Sequence, residues 1–312
     1  MSCEAVYAIV GPTAAGKTRV AFELARVIGG EIISVDSRQI YRYMDVGTDK
    51  ISHAERRVVP HHLIDVADPD EKFTAADFVE RAADAARRIA LRGKTPILAG
   101  GTPMYYRALE GNMLSLALPG DEAVRAGLKR ELEAKGSPAM HDALAKADPE
   151  SASRVHPNDS YRVMRALELF RLSGKPPTSL FAEREKIGGM TIKYFGVNAP
   201  REILYAKIEL RAAWQFENGY PEEVEWLLGR GYSKDLPSMR GFGYRELALF
   251  KEGAMTLEEA LQSDIRATKA FSRRQMTWFK HFFPILWYDS TQTILEDLVT
   301  DMAEKISSGA LK

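Results

Sequence analysis

Residues Gly11-Pro12-Thr13-Ala14-Ala15-Gly16-Lys17-Thr18 satisfy every fixed position of the phosphate-loop pattern, with a lysine and a hydroxyl after the second glycine. Such a segment binds a di- or triphosphate. The backbone of Gly11, Thr13, Ala14, Ala15 and Gly16 can curl its N–H groups round the anion, and the following helix N-terminus adds partial positive charge. Lys17 neutralises a terminal phosphate, and the Thr18 hydroxyl can ligate Mg2+. A second group with chemical potential is Asp36, which ends a short apolar run and is followed by Ser37-Arg38-Gln39. A carboxylate at the C-terminal end of a parallel strand, beside a phosphate loop, lies where such sheets keep their active sites. Asp36 is therefore the best placed general base in the chain, and a turn-capping Asp is the plainer alternative. The run Pro96–Ala99 ends in Gly100-Gly101-Thr102, without the carboxylate by which phosphate-loop ATPases usually hold their metal.

Positioning these groups takes a parallel sheet covered on both faces. Ala5–Val10 is a continuous apolar run that stops at Gly11, and Val20, Leu24 and Val27 follow at helical spacing. Glu31–Val35 and Pro96–Ala99 read as two more buried strands. Thr74 with Asp77 marks a capped helix running to about Arg92. Between Leu118-Pro119-Gly120 and Lys186 only helical patterns occur, broken at Gly136, Pro149, Pro157 and Gly174. Strand character returns at Lys193–Val197, and Ile285–Tyr288 could be a last strand. The pattern predicts an α/β fold with a phosphate-loop NTPase-like parallel sheet and an all-helical insertion domain. The expected divisions are 1–118, 119–186 and 187–312.

Composition adds exclusions. With 45% hydrophobic and 28% charged residues the chain has the make-up of a soluble globular protein. The single cysteine, Cys3, excludes an intrachain disulfide and fits a reducing, cytoplasmic setting. No run is long enough for a membrane span. Lys plus Arg and Asp plus Glu both total 43, so a nucleic-acid footprint has to be local. One such footprint is a helical stripe of Arg266, Lys269, Arg273 and Lys280, with Phe271, Trp278 and Phe282 on the opposite face as expected anchors. Between Ile265 and Lys280 there are five basic residues and no acidic one, which favours phosphate contact over a plain solvated face. His61-His62 reads as loop, Trp214, Phe216 and Trp226 as core, and Glu222, Glu223 and Glu225 as a solvated face.

Taken together with Gly11–Thr18, the blocks Asp36–Tyr41, Met44–Lys50, His61–Asp65, Gly100–Thr102, Asn158-Asp159, Arg165–Glu168, Gly243–Glu246 and Arg273–Phe279 resemble the tRNA dimethylallyltransferase family, in family order. The resemblance implies transfer of dimethylallyl from dimethylallyl diphosphate to the exocyclic amine of the adenosine 3′ of the anticodon. It makes Asp36 the base, Lys17, Thr18 and Mg2+ the diphosphate site, and Arg211 a second clamp. Ser37, Arg38, Gln39, Thr102 and Arg125 would contact tRNA. Arg162 and Arg165, with the Arg240–Arg245 and Arg273–Lys280 stretches (Arg274 and Gln275 among them), would line the groove for the anticodon stem-loop. No membrane partner is implied, and a monomer is expected. The chain departs from the family pattern at Pro103, where Gly is usual, at Asp49, where Ala is usual, and at Gln215, where Met is usual. Three other readings stay open on the residues alone: a prenyltransferase acting on a free adenine nucleotide, a phosphate-loop metabolite kinase, and a nucleotide-binding RNA module without chemistry.

Overall fold

The computed structural model describes residues 6–111, 120–183, 189–281 and 285–309. Cys3, the expected anchor Phe282 and the expected divisions at 118/119 and 186/187 lie outside the described residues. The strands β1 (Val6–Val10), β2 (Glu31–Ser34), β3 (His61–His62), β4 (Pro96–Ala99), β5 (Ile192–Asn198) and β6 (Ile285–Asp289) form one sheet in the order β3-β2-β4-β1-β5-β6. Every pairing is parallel, with Tyr7 opposite Ile97 and Ile9 opposite Phe195. The helices α1 (Lys17–Ile28), α2 (His53–Val58) and α3 (Ala75–Leu91) make the crossovers between β1, β2, β3 and β4. Both faces of β1 are covered, which is why its sequence is apolar throughout and does not alternate.

The chain divides into two compact units, residues 1–106 with 190–312, and Arg107–Gly189. In the first, Ile9, Leu24, Ile32, Ile97, Phe195 and Val197 pack with Leu298, Val299 and Met302 of α13 (Leu295–Ser307). A second cluster there supports the loops that follow β2. It joins Ile40, Tyr41 and Met44 to α9 (Arg201–Glu217), α10 (Tyr220–Gly229), α11 (Tyr244–Lys251) and α12 (Leu257–Phe279) through Phe216, Tyr220, Tyr244, Leu247 and Ala260. The short helix α4 (Pro103–Leu109) follows β4, with Pro103 at its first position, where a missing N–H costs nothing.

The second unit holds α5 (Glu122–Ala147), α6 (Pro149–Arg154), α7 (Ser160–Ser173) and α8 (Pro177–Glu183), with no strand among the described residues. Leu128, Met140, Leu144, Val163 and Leu167 form its core. Gly136, at φ 78°, breaks α5, and Gly174, at φ 70°, ends α7. Its polar centre is Glu168, which is 1% exposed and accepts from Asp121 N at 2.9 Å, Arg165 Nη1 at 2.6 Å and Arg125 Nε at 2.8 Å.

Three sequence expectations are corrected. His61 and His62 are the edge strand β3 rather than loop, and His62 Nε2 sits 2.7 Å from Glu31 Oε2. Two residues are too few for a strand period to register. Of the aromatic group expected in the core only Phe216 is buried, while Trp214 and Trp226 are 58% and 41% exposed. Glu223 is part of no solvated face. Its carboxylate accepts from the amides of Asp45, Val46 and Gly47 and from the Tyr244 hydroxyl. No helix among the described residues is long and apolar enough to cross a membrane.

Candidate functional site

The phosphate loop leaves β1 at Gly11, whose φ is 143° and whose Cα approaches the next strand so closely that a Cβ would lie 2.0 Å from the Val197 carbonyl oxygen. A side chain is excluded there on both counts. Ala14, at φ 64°, holds a left-handed conformation that non-glycine residues seldom adopt. This curl leaves the amides of Ala14, Gly16, Lys17 and Thr18 without a backbone partner among the described residues. Lys17 folds back over the loop and donates to the Pro12 carbonyl at 2.6 Å. Burial pushes its ammonium down to about 8, with Arg211 acting in the same direction and Asp36 and Asp49 acting against it. The Thr18 side chain is exposed on the first turn of α1.

Asp36 stands just past β2. Its Oδ1 accepts from Arg38 N at 2.8 Å and Gln39 N at 3.3 Å, an Asx-type turn that fixes the carboxylate plane and leaves Oδ2 without a protein donor among the described residues. Capping and base roles are thus divided between its two oxygens. The residues after it are anchored in turn. Ser37 N donates to Thr102 Oγ1 at 3.2 Å, and Arg38 Nη1 donates to the carbonyls of Pro237 and Ser238 at 2.9 and 2.8 Å. Gln39 accepts from Ser34 Oγ and donates to the carbonyls of Thr48 and Asp49.

Opposite these loops stand α9 and α12. Arg211 Nη2 donates to Thr13 Oγ1 at 3.1 Å, and Nη1 is 3.0 Å from Asp49 Oδ2. Gln275, expected in an RNA groove, is 3% exposed and acts as a strut instead. Its Oε1 accepts from Thr13 N at 2.8 Å and its Nε2 donates to the Gly101 carbonyl at 2.6 Å. The strut needs a glycine beneath it, since a Cβ on Gly101 would lie 2.3 Å from Gln275 Nε2. Nearer the start of α12, Asp264 is a buried carboxyl whose hydrogen-bond partner, the Thr268 hydroxyl, is 3.5 Å distant. Sequence reading missed it because a lone Asp in a helix carries no burial signal.

Burial raises Asp264 from 3.8 to about 6, against the pull of Arg211. A folded-state value above the unfolded one means that the protonated form favours folding, so stability falls as pH rises from about 4 to about 6. Asp264→Asn removes that slope. Chemical denaturation across pH 3–8 is expected to give matching stabilities below pH 4 and a variant more stable above pH 6, by up to roughly 3 kcal/mol. Parallel profiles would show that Asp264 is solvated.

The basic residues separate into free and engaged groups. Arg240, Arg245, Arg266 and Lys280 are exposed and have no ion pair among the described residues. Arg274 is exposed, with its guanidinium 5.9 Å from the Phe271 ring centre. Lys269 pairs with Glu209, and Arg273 donates to the Tyr205 hydroxyl. In the second unit Arg162 is exposed beside Asp159, whereas Arg125 and Arg165 are tied to Glu168. The face anchoring α12 is also not the one expected. Asp264, Ile265, Thr268, Ser272, Gln275 and Phe279 are buried, while Trp278 is 37% exposed and Phe271 tilts against Phe242. Polar residues hold this helix, so an apolar period could not locate its buried side.

Lys17, Thr18, Asp36, Thr102, Asp49, Arg211, Asp264 and Gln275 all line one cavity of about 560 Å3 beyond the carboxyl ends of β1, β2 and β4. This is the position at which open parallel sheets bind ligands. A family model described as IPP transferase matches residues 39–282. The tRNA dimethylallyltransferase of Syntrophobacter fumaroxidans is 42% identical over 290 residues, covering 92% of this chain and 84% of that protein. That of Geobacter metallireducens is 42% identical, covering 90% and 91%. Among solved structures, the full-length tRNA isopentenylpyrophosphate transferase from Bacillus halodurans superposes with a TM-score of 0.72 at 37% identity, over 98% of this chain and 96% of that one. A eukaryotic dimethylallyltransferase acting on tRNA gives 0.80 at 25% identity, over 97% and 78%. By its sequence matches and by its fold, the chain belongs to the IPP transferase family.

Proposed function

We propose that the chain transfers a dimethylallyl group from dimethylallyl diphosphate to the N6 amine of the adenosine 3′ of a tRNA anticodon, releasing diphosphate. The observation that carries this reading is the opening of a fixed carboxylate, Asp36, and two cations, Lys17 and Arg211, into one cavity. Negative charge builds on the bridging oxygen as the allylic carbon leaves its diphosphate. Lys17, Arg211 and the unpaired loop amides are held in advance for that charge. The adenine amine is a poor nucleophile because its lone pair is delocalised into the ring. Asp36 Oδ2 orients it by accepting a hydrogen bond and takes its proton as the C–N bond forms. To reach this depth the base leaves the RNA stack.

Mg2+ belongs to the same proposal. No set of three acidic or histidine side chains that could cage a metal exists among the described residues. That fits Mg2+, which is usually held through one or two protein oxygens plus substrate phosphates and water. Thr18 is the protein oxygen, and the ion would supply further charge neutralisation at the diphosphate. We include in the proposal a cytoplasmic setting and a monomeric state.

Labelled dimethylallyl diphosphate offered with tRNA or with AMP tests the reading. Label is expected in tRNA. Transfer to AMP alone would favour the free-nucleotide enzyme, and transfer to neither would defeat both. The RNA footprint has its own test. Arg266→Ala with Lys280→Ala is expected to flatten the log–log salt dependence of tRNA binding by about two units, one for each phosphate no longer neutralised. Lys269→Ala is expected to leave the slope nearly unchanged, since Glu209 already neutralises Lys269. Equal slopes for wild type and the double variant would mark the stripe as solvated.

A further inference from the structure

Arg211 is already engaged in the structure, because Asp49 Oδ2 lies 3.0 Å from its Nη1. The Asp49 side chain is more than half exposed, yet its place is set by the backbone, for the loop carrying it is fastened at every turn. The Glu223 carboxylate accepts from the amides of Asp45 and Val46 at 2.7 Å each and from Gly47 at 3.2 Å, and also from the Tyr244 hydroxyl at 2.7 Å. Gln215 Nε2 donates to the Val46 carbonyl at 2.6 Å. Gln39 Nε2 holds the carbonyls of Thr48 and Asp49 itself. Lys50 Nζ, almost fully buried, bridges Asp45 and Asp65. Asp49 sits at φ 55°, a left-handed backbone that Asp tolerates better than most residues. The loop therefore presents a carboxylate to Arg211, and its field also reaches Lys17. A diphosphate gripped by the same two cations would meet that negative charge at close range, where like charges repel.

We propose that Asp49 is a competing carboxylate: it occupies the Arg211 fork when the site is empty, is displaced by diphosphate, and so weakens the hold on the diphosphate product and speeds its release. Glu223 is the positioning residue that keeps Asp49 in place. The inference rests on the reading of Arg211 as a diphosphate clamp.

The test is titration calorimetry of inorganic diphosphate, with and without Mg2+, into wild type, Asp49→Asn, Glu223→Gln, Arg211→Gln and the pairwise doubles, with thermal melts to show that each is folded. Asp49→Asn is expected to tighten diphosphate roughly two- to fivefold, the size of a partly exposed ion pair. Glu223→Gln is expected to tighten it in the same direction and to add little on top of Asp49→Asn, because both act through one contact. In the Arg211→Gln background the gain from Asp49→Asn should shrink. Unchanged or weaker binding by Asp49→Asn overturns the proposal, and weakening confined to Mg2+-containing buffer would make Asp49 a metal ligand instead. Full additivity of Glu223→Gln and Asp49→Asn would remove Glu223 from the device. Should Arg211→Gln bind diphosphate as wild type does, the clamp reading itself fails.

Discussion

Asp36→Asn is expected to lower kcat by about two to four orders of magnitude while leaving the affinities for both substrates within a few-fold of wild type. The selectivity of that loss follows from how the two carboxylate oxygens are used. Oδ1 accepts from the amides of Arg38 and Gln39, and an asparagine oxygen can accept both. The turn therefore survives, and with it the anchoring of Ser37 to Thr102. Oδ2 becomes an NH2 group, which donates where the reaction needs an acceptor and cannot take the amine proton. Steady-state kinetics with tRNA and donor each varied checks this. A variant with near-wild-type kcat at saturating substrates would remove Asp36 from the chemistry and leave it a turn-forming residue.

Lys17→Ala is expected to cut turnover by about two to three orders of magnitude, the cost of losing one preorganised charge at a developing anion. Binding of tRNA should be nearly unaffected, because Lys17 addresses only the leaving group. Equal losses in both would show that the loop serves the RNA. The same side chain sets a pH signature. Burial depresses Lys17 to about 8, and only its protonated form attracts diphosphate, so kcat/KM for the donor should fall as pH rises through that value. Bound diphosphate stabilises the ammonium, so kcat should hold to higher pH than kcat/KM. Coincident limbs in the two profiles would point to a group other than Lys17.

All of the sheet but its two-residue edge strand, and the phosphate loop, were legible because their determinants are local. A continuous apolar run, the glycines of the loop and the Thr74–Asp77 capping box each act within a few residues. Asp36 was legible for the same reason, since it follows its strand directly. What could not be read is set by pairings distant in sequence. Gln275 has the look of an RNA-facing amide in a basic segment until Thr13 and Gly101 are seen on either side of it. Arg125 and Arg165 look like free charge until Glu168 is found between them. Glu223 is one of three nearby glutamates, and only its enclosure by the Asp45–Gly47 amides sets it apart. In each case a polar group is buried by partners, and hydrophobic periodicity carries no record of that.

The Gln275 strut also bears on how the molecule comes into being. It joins α12 to the phosphate loop across 262 residues of chain, and β1 completes its pairing only when β5 arrives. Contacts so remote in sequence carry a large loop-closure cost and form late. During synthesis the first hundred residues can lay down β1, α1 and β2, yet Thr13 N has no partner until α12 has emerged and docked. A growing chain therefore carries the phosphate-loop sequence long before it has a finished site. The cavity is then completed in one late cooperative step, once α12 has left the ribosome and docked.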